Sequence, residues 1–275
     1  MAKSKKMQQG KKSSKRSTKI DPQKQLLAEA NAQMDPLSHL PSAFLSVPLS
    51  PPHNGVVADD DGQTNSDNDT STQNNMAFIQ HFSSPLPPNI LKQCLELFQM
   101  NMGDMYRQSS WGLNVEEKLN ELQHDDARFL VVLSSASCAE TTTNEARNDD
   151  ADTAEAAQSD NDTTNEKCMV LGFAHFRYEL DDYDLPNLPI TYLYELQIHP
   201  TVQKIGLGKK LMTMIELLSL QLRIKKVMLT VFHSNEAAMG FYRKNKYAVD
   251  ECSPSQFSGE ENENCDYEIL SKSFG

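Results

Sequence analysis

Gln203-Lys204-Ile205-Gly206-Leu207-Gly208 stands between a strand-like run, Tyr192 to Ile198, and a helical pattern that begins near Leu207. Two glycines let the backbone come close to a ligand, and a helix starting here aims unpaired N–H groups and the positive end of its dipole at an anion. The segment reads as a pyrophosphate-binding turn. A nucleoside-triphosphate loop needs Ser or Thr after Gly-Lys, but Lys210 follows Gly208-Lys209. A dinucleotide fingerprint needs glycine where Leu211 stands. A strand-to-helix turn with no ligand is the plain alternative.

Outward from the turn, Leu207, Leu211, Met214, Ile215, Leu218 and Leu222 recur at helical spacing. A buried strand, Val227 to Phe232, follows, then a helix from Asn235 to Lys244 and strand-like Tyr247 to Val249 and Tyr267 to Leu270. Upstream, a helix follows Pro88, with Ile90, Leu91, Cys94, Leu95, Phe98, Met102 and Met105 on its periodic positions, and a short helix spans 115–123. Two strand-like runs, Phe129 to Leu133 and Cys168 to Phe176, flank an Ala/Thr/Asn/Asp/Glu-rich stretch, 134–167, which reads as an acidic disordered insert in a hairpin loop. Residues 1–75 read as a disordered basic and polar N-terminal region, and 76–275 as one α/β domain with a mixed central sheet flanked by helices. Without the insert, that domain holds 166 residues, enough for one core.

Met1 to Lys19 carries eight Lys or Arg and no acid, so a net charge of −12 becomes −20 over the rest of the chain. An acidic body favours a basic partner. The basic tail has the character of a nuclear-localisation or nucleic-acid-contacting patch, or of a merely solvated terminus. No apolar stretch reaches the length of a membrane span, so no membrane role is expected. The five cysteines show no zinc spacing and are expected as reduced thiols, and no metal is expected. There is no Gly-x-Ser-x-Gly elbow, which removes the serine-hydrolase reading.

The Gln-x-x-Gly-x-Gly turn is similar to the acetyl-CoA loop of the GNAT N-acetyltransferase superfamily. The runs Met105-Tyr106-Arg-Gln-Ser-Ser-Trp111-Gly112, His175-Phe176-Arg177, Tyr192-Leu-Tyr194-Glu195, Lys225 to Phe232, Asn235 to Tyr242, Ser253-Pro254-Ser255 and Tyr267 to Leu270, in that order, resemble the N-terminal acetyltransferase D family, which acetylates the α-amine of histone four and histone two-A. The resemblance implies the GNAT acyl-CoA N-acyltransferase fold, acetyl-CoA as co-substrate and Ser-Gly-Arg-Gly-type histone termini as partners, in nucleus and cytoplasm, by a protein expected to be a monomer. It also implies the cofactor set Leu196, Gln197, Ile198, Gln203, Lys204, Ile205, Gly206, Leu207, Gly208, Lys209, Thr230, Asn235 and Phe241.

Transfer to an α-amine with pKa near 7.7 to 8.0 benefits from a base. Glu195, an acid inside Tyr-Leu-Tyr-Glu-Leu-Gln-Ile, matches the family's base and is expected to act directly or through water. Strand alternation puts Tyr192 and Tyr194 on one face and Glu195 on the other; the family's bulge would remove that conflict and free the N–H groups of Leu196 to Ile198 for an oxyanion. Tyr194 joins the catalytic set, and Tyr242 is either the proton donor to the departing thiolate or a packing residue. Tyr106, Trp111, Glu179, Asp181, Tyr192, Tyr194 and Tyr267 form the expected acceptor site, with Glu179 and Asp181 on the substrate arginine. Without the resemblance, the acids read as a solvated turn, the two strand tyrosines as packing and Trp111 as a core anchor. The alternatives are a GNAT enzyme for internal lysines or small amines, and a non-catalytic acyl-CoA-binding chromatin or RNA adaptor.

Overall fold

The computed structural model describes residues 21–33, 35–38, 40–49, 76–134, 168–181, 183, 188–259 and 265–275. The basic tail and nearly all of the acidic insert lie outside the described residues. Eight strands form one mixed sheet in the order β1-β2-β3-β4-β5-β6-β8-β7: β1 (Ser46–Pro48), β2 (Met76–Ser83), β3 (Arg128–Leu133), β4 (Val170–Leu180), β5 (Pro189–Ile198), β6 (Lys226–Phe232), β7 (Ala248–Val249) and β8 (Tyr267–Ser273). Of these, only β5 and β6 pair in parallel, through the crossover helix α4 (Leu207–Gln221).

Two apolar clusters cover the two faces. One face packs α2 (Pro88–Gln108) and α3 (Val115–Leu122) through Ile90, Cys94, Phe98 and Leu122 onto Phe129, Val131 and Phe173. The other packs α4 through Leu211, Met214, Ile215 and Leu218, with α5 (Glu236–Lys244) adding Met239 and Tyr242, onto Leu130, Ala174 and Leu193. Strands buried on both faces read as continuous apolar runs, which is why β3 is buried at all six positions.

The first 75 residues are not all arm. Asp21 caps α1 (Pro22–Ala32) by accepting from the Gln23 amide, Pro22 opens the helix, and Ala30 is fully buried in the α4-side cluster. Beyond it, Val47 joins the same cluster, β1 pairs antiparallel with β2, and Lys210 of α4 donates to the Ser46 carbonyl at 2.7 Å. These residues are held because their apolar side chains find a sheet face that local sequence cannot reveal. The expectation of a disordered arm therefore fails for 21–33 and 40–49. Cys168 is disulfide-bonded, against the expectation of reduced thiols throughout, while Cys94 and Cys252 are free thiols. Among the described residues, no helix is long and apolar enough to cross a membrane.

Candidate active site

The site opens where two parallel strands part. β5 pairs with β6 only over Thr191–Leu193, opposite Val227–Leu229. Among the described residues, that edge of β5 has no partner strand beyond Leu193, and the two strands part from Tyr194 onward. A cavity of about 200 Å³ fills the gap, lined by residues of α2, α3, β5, β6 and α5.

On its other edge β5 pairs with β4, and the register slips between His175 and Phe176: His175 meets Glu195 and Phe176 meets Leu193. Tyr194 is the extra residue. A bulge of this kind breaks the two-residue alternation, so Tyr192, Tyr194 and Glu195 all face α2 and α3, while Leu193 and Leu196 face α4. The conflict in the sequence pattern is thereby resolved, and one face carries both tyrosines and the acid.

Glu195 is 5% exposed, and both its oxygens are engaged. Oε1 lies 2.7 Å from the Lys118 ammonium and Oε2 accepts from the Gln197 amide at 2.7 Å. Lys118 also reaches Glu121 Oε1 at 2.7 Å, so one buried ammonium joins two carboxylates, above the Phe98 ring at 4.7 Å. Burial opposes the lysine's charge, but Glu195 and Glu121 outweigh it and raise its pKa. Glu121 lines the cavity, is 28% exposed, and has its pKa raised chiefly by burial against the pull of Lys118.

Tyr194 donates to Glu179 Oε1 at 2.6 Å, lies under the Arg177 guanidinium at 4.3 Å and stacks on His175. Burial and that hydrogen bond push its phenol pKa up, so it remains a donor. His175 is fully buried and neutral: desolvation, then Arg177 and Lys118, push its pKa well below the usual range. Tyr192 bonds Thr230 across the β5–β6 junction. Tyr242 lines the cavity, its pKa raised by burial and then by Glu195.

An aromatic rim closes the outer end. Trp111 is 50% exposed, not a core anchor, and meets Phe232 and Tyr267 edge-on at 5.1 Å and Tyr106 at 6.1 Å. Its loop is tied to β8, since Ser110 donates its backbone N–H to Asp266 at 2.7 Å. Of the expected acceptor residues, Tyr106, Trp111, Tyr192 and Tyr194 line the cavity; Tyr267 backs Trp111 and Glu179 stands behind Tyr194. Asp181 does not belong there. It is 4% exposed, ion-paired with Lys226 at 3.0 Å and accepts from the Tyr183 amide, and Lys226 also holds Asp250 at 2.9 Å. Its charge is already met by a lysine at the start of β6. Asp182 and Asp184 lie outside the described residues.

Beyond the inner end lies the glycine turn. Lys204 (φ 65°) and Gly206 (φ 90°) are both left-handed, Gln203 folds back to donate to the Ile198 carbonyl, and α4 begins at Leu207 with no side-chain cap. The first N–H groups of α4 are left for a ligand or water. A Cβ on Gly208 would sit 3.5 Å from Phe241 of α5, so α4 and α5 close together behind the turn. Ile205 belongs to this turn, and Leu207 and Lys209 to the first turn of α4; Leu196, Gln197, Thr230 and Asn235 line the cavity itself, and Asn235 caps α5. The site thus joins an anion-accepting turn to an acidic, aromatic-walled cavity through the gap between β5 and β6. Sequence reasoning missed Lys118, Glu121 and Asn101, whose amide donates to Gln197 and to the Ile198 carbonyl, and it used His175 and Arg177 only as part of the family-like run, with no role in the site.

The sequence pattern of the acetyltransferase (GNAT) family matches residues 119–247, from α3 to just past the end of α5. Solved structures similar to the chain include the PaiA N-acetyltransferase of Thermoplasma acidophilum in complex with coenzyme A, at 15% identity and TM-score 0.44 over 72% of this chain and 99% of that one. NAA60 of Arabidopsis thaliana with a bisubstrate analogue matches at 14% identity and TM-score 0.45, over 72% of this chain and 99% of that one. Naa50 of the same plant, in complex with the bisubstrate analogue CoA-Ac-MVNAL, matches at 14% and 0.41, over 71% and 99%.

Proposed function

We propose that this protein, whose residues 119–247 match the sequence pattern of the acetyltransferase (GNAT) family, acetylates the N-terminal α-amine of histone four and histone two-A from acetyl-CoA. The sheet is the GNAT fold, and its donor is acetyl-CoA. The turn fits that donor: an uncapped helix start, a left-handed Gly206 and a Gly208 without side chain give the pyrophosphate an open backbone cradle. Unpaired β5 backbone beyond Leu193 fits the pantetheine arm and the thioester oxygen.

One observation carries the acceptor assignment. The cavity is walled by Tyr106, Trp111, Tyr192 and Tyr194, and its floor presents the Glu121 carboxylate, whose Lys118 ammonium is shared with the buried Glu195, to a cationic peptide end. On this reading Glu179, which accepts from Tyr194, supplies the carboxylate for an arginine two residues in from the amine, as in Ser-Gly-Arg-Gly. The acceptor's backbone stacks among the aromatics, and the family resemblance of the runs from Met105 to Leu270 supports histone termini as the natural sequence. On this reading Tyr242, which lines the cavity and stays protonated because burial raises its pKa, gives the proton to the leaving sulfur. We assign the protein to nucleus and cytoplasm on the family resemblance and on the basic run from Lys3 to Lys19.

The test compares acetyl-CoA consumption over peptides with different first four residues, with mass spectrometry to locate the acetyl group. Ser-Gly-Arg-Gly peptides should react fastest, and an α-blocked version should not react. Replacing the arginine of the peptide should lower kcat/KM by about tenfold or more, the scale of one lost charge-assisted hydrogen-bond pair of roughly 1.5–3 kcal/mol. Equal rates over all peptides, or acetylation of internal lysine in the blocked peptide, would defeat the assignment.

A further inference from the structure

We propose that Glu121, not Glu195, receives the proton from the acceptor ammonium, with Lys118 and Glu195 acting as positioning residues that hold Glu121 at the cavity floor. The inference rests on the transferase reading above and deepens it. Both oxygens of Glu195 are bound, one by Lys118 and one by Gln197, and its side chain is 5% exposed. Glu121 sits one helical turn along α3 from Lys118 and gives it Oε1 at 2.7 Å; the residue lines the cavity and its side chain is 28% exposed. A base must reach the proton it takes, within hydrogen-bond distance or through one water. Of the two carboxylates on Lys118, only Glu121 is open to the cavity.

The surroundings suit that role. Facing Glu121 are Lys118 on its own helix, Glu195 on β5, His175 Nδ1 at 3.8 Å on β4, Arg177, which donates to the Glu121 carbonyl at 2.6 Å, and Tyr106 on α2. His175 is neutral there, so it adds no positive charge. Burial makes Glu121 more basic than a solvated glutamate, and the second carboxylate adds to this, whereas Lys118 opposes it. Lys118 holds the side chain through Oε1 and leaves it 28% exposed at the cavity.

The proton count is simple. The bound R–NH3⁺ gives one proton to Glu121. The free amine nitrogen then forms a bond to the thioester carbonyl carbon while the C–S bond breaks, the leaving sulfur takes its proton from Tyr242, and the nitrogen's second proton, passed through water, restores the tyrosine. Glu121 later returns its proton to solvent.

The experiment uses the full chain and whichever acceptor peptide the parent enzyme turns over fastest, so that a wrong acceptor assignment shows in the choice of peptide and leaves the Glu121 comparison intact. Glu121→Gln, Glu195→Gln and Glu121→Asp are compared by kcat and KM from pH 5.5 to 9, with acetyl-CoA binding measured by calorimetry to certify folding. In Glu121→Gln, kcat at pH 7 should fall by about 100-fold or more, the usual contribution of a positioned base, with acetyl-CoA affinity kept. Its kcat should then climb about tenfold per pH unit towards the amine pKa, because solvent must supply the free amine. Glu121→Asp should recover part of the loss. Glu195→Gln should lose less and keep the parent's shape of pH profile. A Glu121→Gln protein with the parent's pH profile, or a Glu195→Gln protein that alone acquires the tenfold-per-unit slope, would overturn the proposal. Should Glu121→Gln fail to bind acetyl-CoA, Glu121→Asp and Glu121→Ala decide: a parent-shaped pH profile in the aspartate variant alone supports a base set by the carboxyl group, and a parent-like kcat in the alanine variant refutes it.

Discussion

The turn at Gln203–Gly208 offers its ligand backbone, whereas the cavity floor across β5 offers side chains from α3, β4 and β5. In the turn, the decisive groups are N–H donors of a helix start and two positions without a Cβ, all within six residues. On the floor, Lys118 and Glu195 lie 77 residues apart in sequence and meet only because α2 and α3 cover the sheet face on which Glu195 emerges. A backbone site is therefore local and tolerant of side-chain change outside its glycines. A side-chain site is non-local, and each member depends on the charge of the others.

The sharpest way to break that contrast is Lys118→Met. Removing one partner of a buried ion pair typically lowers stability by about 3–5 kcal/mol, because it leaves charge buried without compensation, and here two carboxylates would be left. Urea unfolding should show a loss of that order at pH 8. Glu121, whose pKa is already raised by burial, would be raised further without the ammonium. A carboxyl whose folded pKa exceeds its unfolded value favours the folded state at acidic pH and loses that contribution as pH rises through the folded pKa. The variant should therefore close part of the gap to the parent near pH 5. A deficit that is the same at pH 5 and pH 8, or a variant as stable as the parent, would mean that the floor is not electrostatically coupled.

A smaller effect sharpens where the acceptor site ends. Asp181→Asn should lower stability by about 2 kcal/mol, the scale of a charge-assisted hydrogen bond, since it weakens the hold on Lys226, which keeps Asp250. The KM for the acceptor peptide should stay within about twofold. A tenfold higher KM at unchanged stability would return Asp181 to the acceptor site.

How much of this was legible in sequence follows the same division. The turn, α4 and the apolar stripe of α2 announce themselves through glycine spacing and 3.6-residue periodicity. The bulge at Tyr194 does not: period-two alternation sends Glu195 to the wrong face, and only family likeness placed the slip. Asp21-Pro22 was a usable helix-start signal for α1, but a short run amid polar chain carries little weight until β4 and β5 supply the surface it covers. Lys118 is harder still. A lysine three residues before a glutamate on a short helix is ordinarily a solvated pair, and nothing near it in sequence says that Glu195 will arrive from β5. Asp181 failed in the opposite direction, since an Asp-rich turn reads as exposed and its lysine lies at residue 226.

The smallest expected effect lies on the backbone side. Gly206→Val places a β-branched residue at φ 90°, with open space around its Cβ, so the consequence is conformational strain and not a clash. Left-handed backbone costs an L-residue roughly 1–2 kcal/mol, part of which the turn escapes by leaving that conformation. Because α4 is anchored by Leu211, Met214 and Ile215 well inside the core, relaxation should be confined to the turn and move the first N–H groups off the anion. Acetyl-CoA affinity should then fall by about tenfold, since each 1.4 kcal/mol is tenfold, while acceptor KM at saturating donor and the pH profile stay as in the parent. If acceptor KM rose as well, the turn would be reaching through β5 to the floor, and the two halves of the site would be one mechanical unit. If donor affinity held, Gly206 would serve only to start α4, and the anion would be met by Lys204 or Lys209.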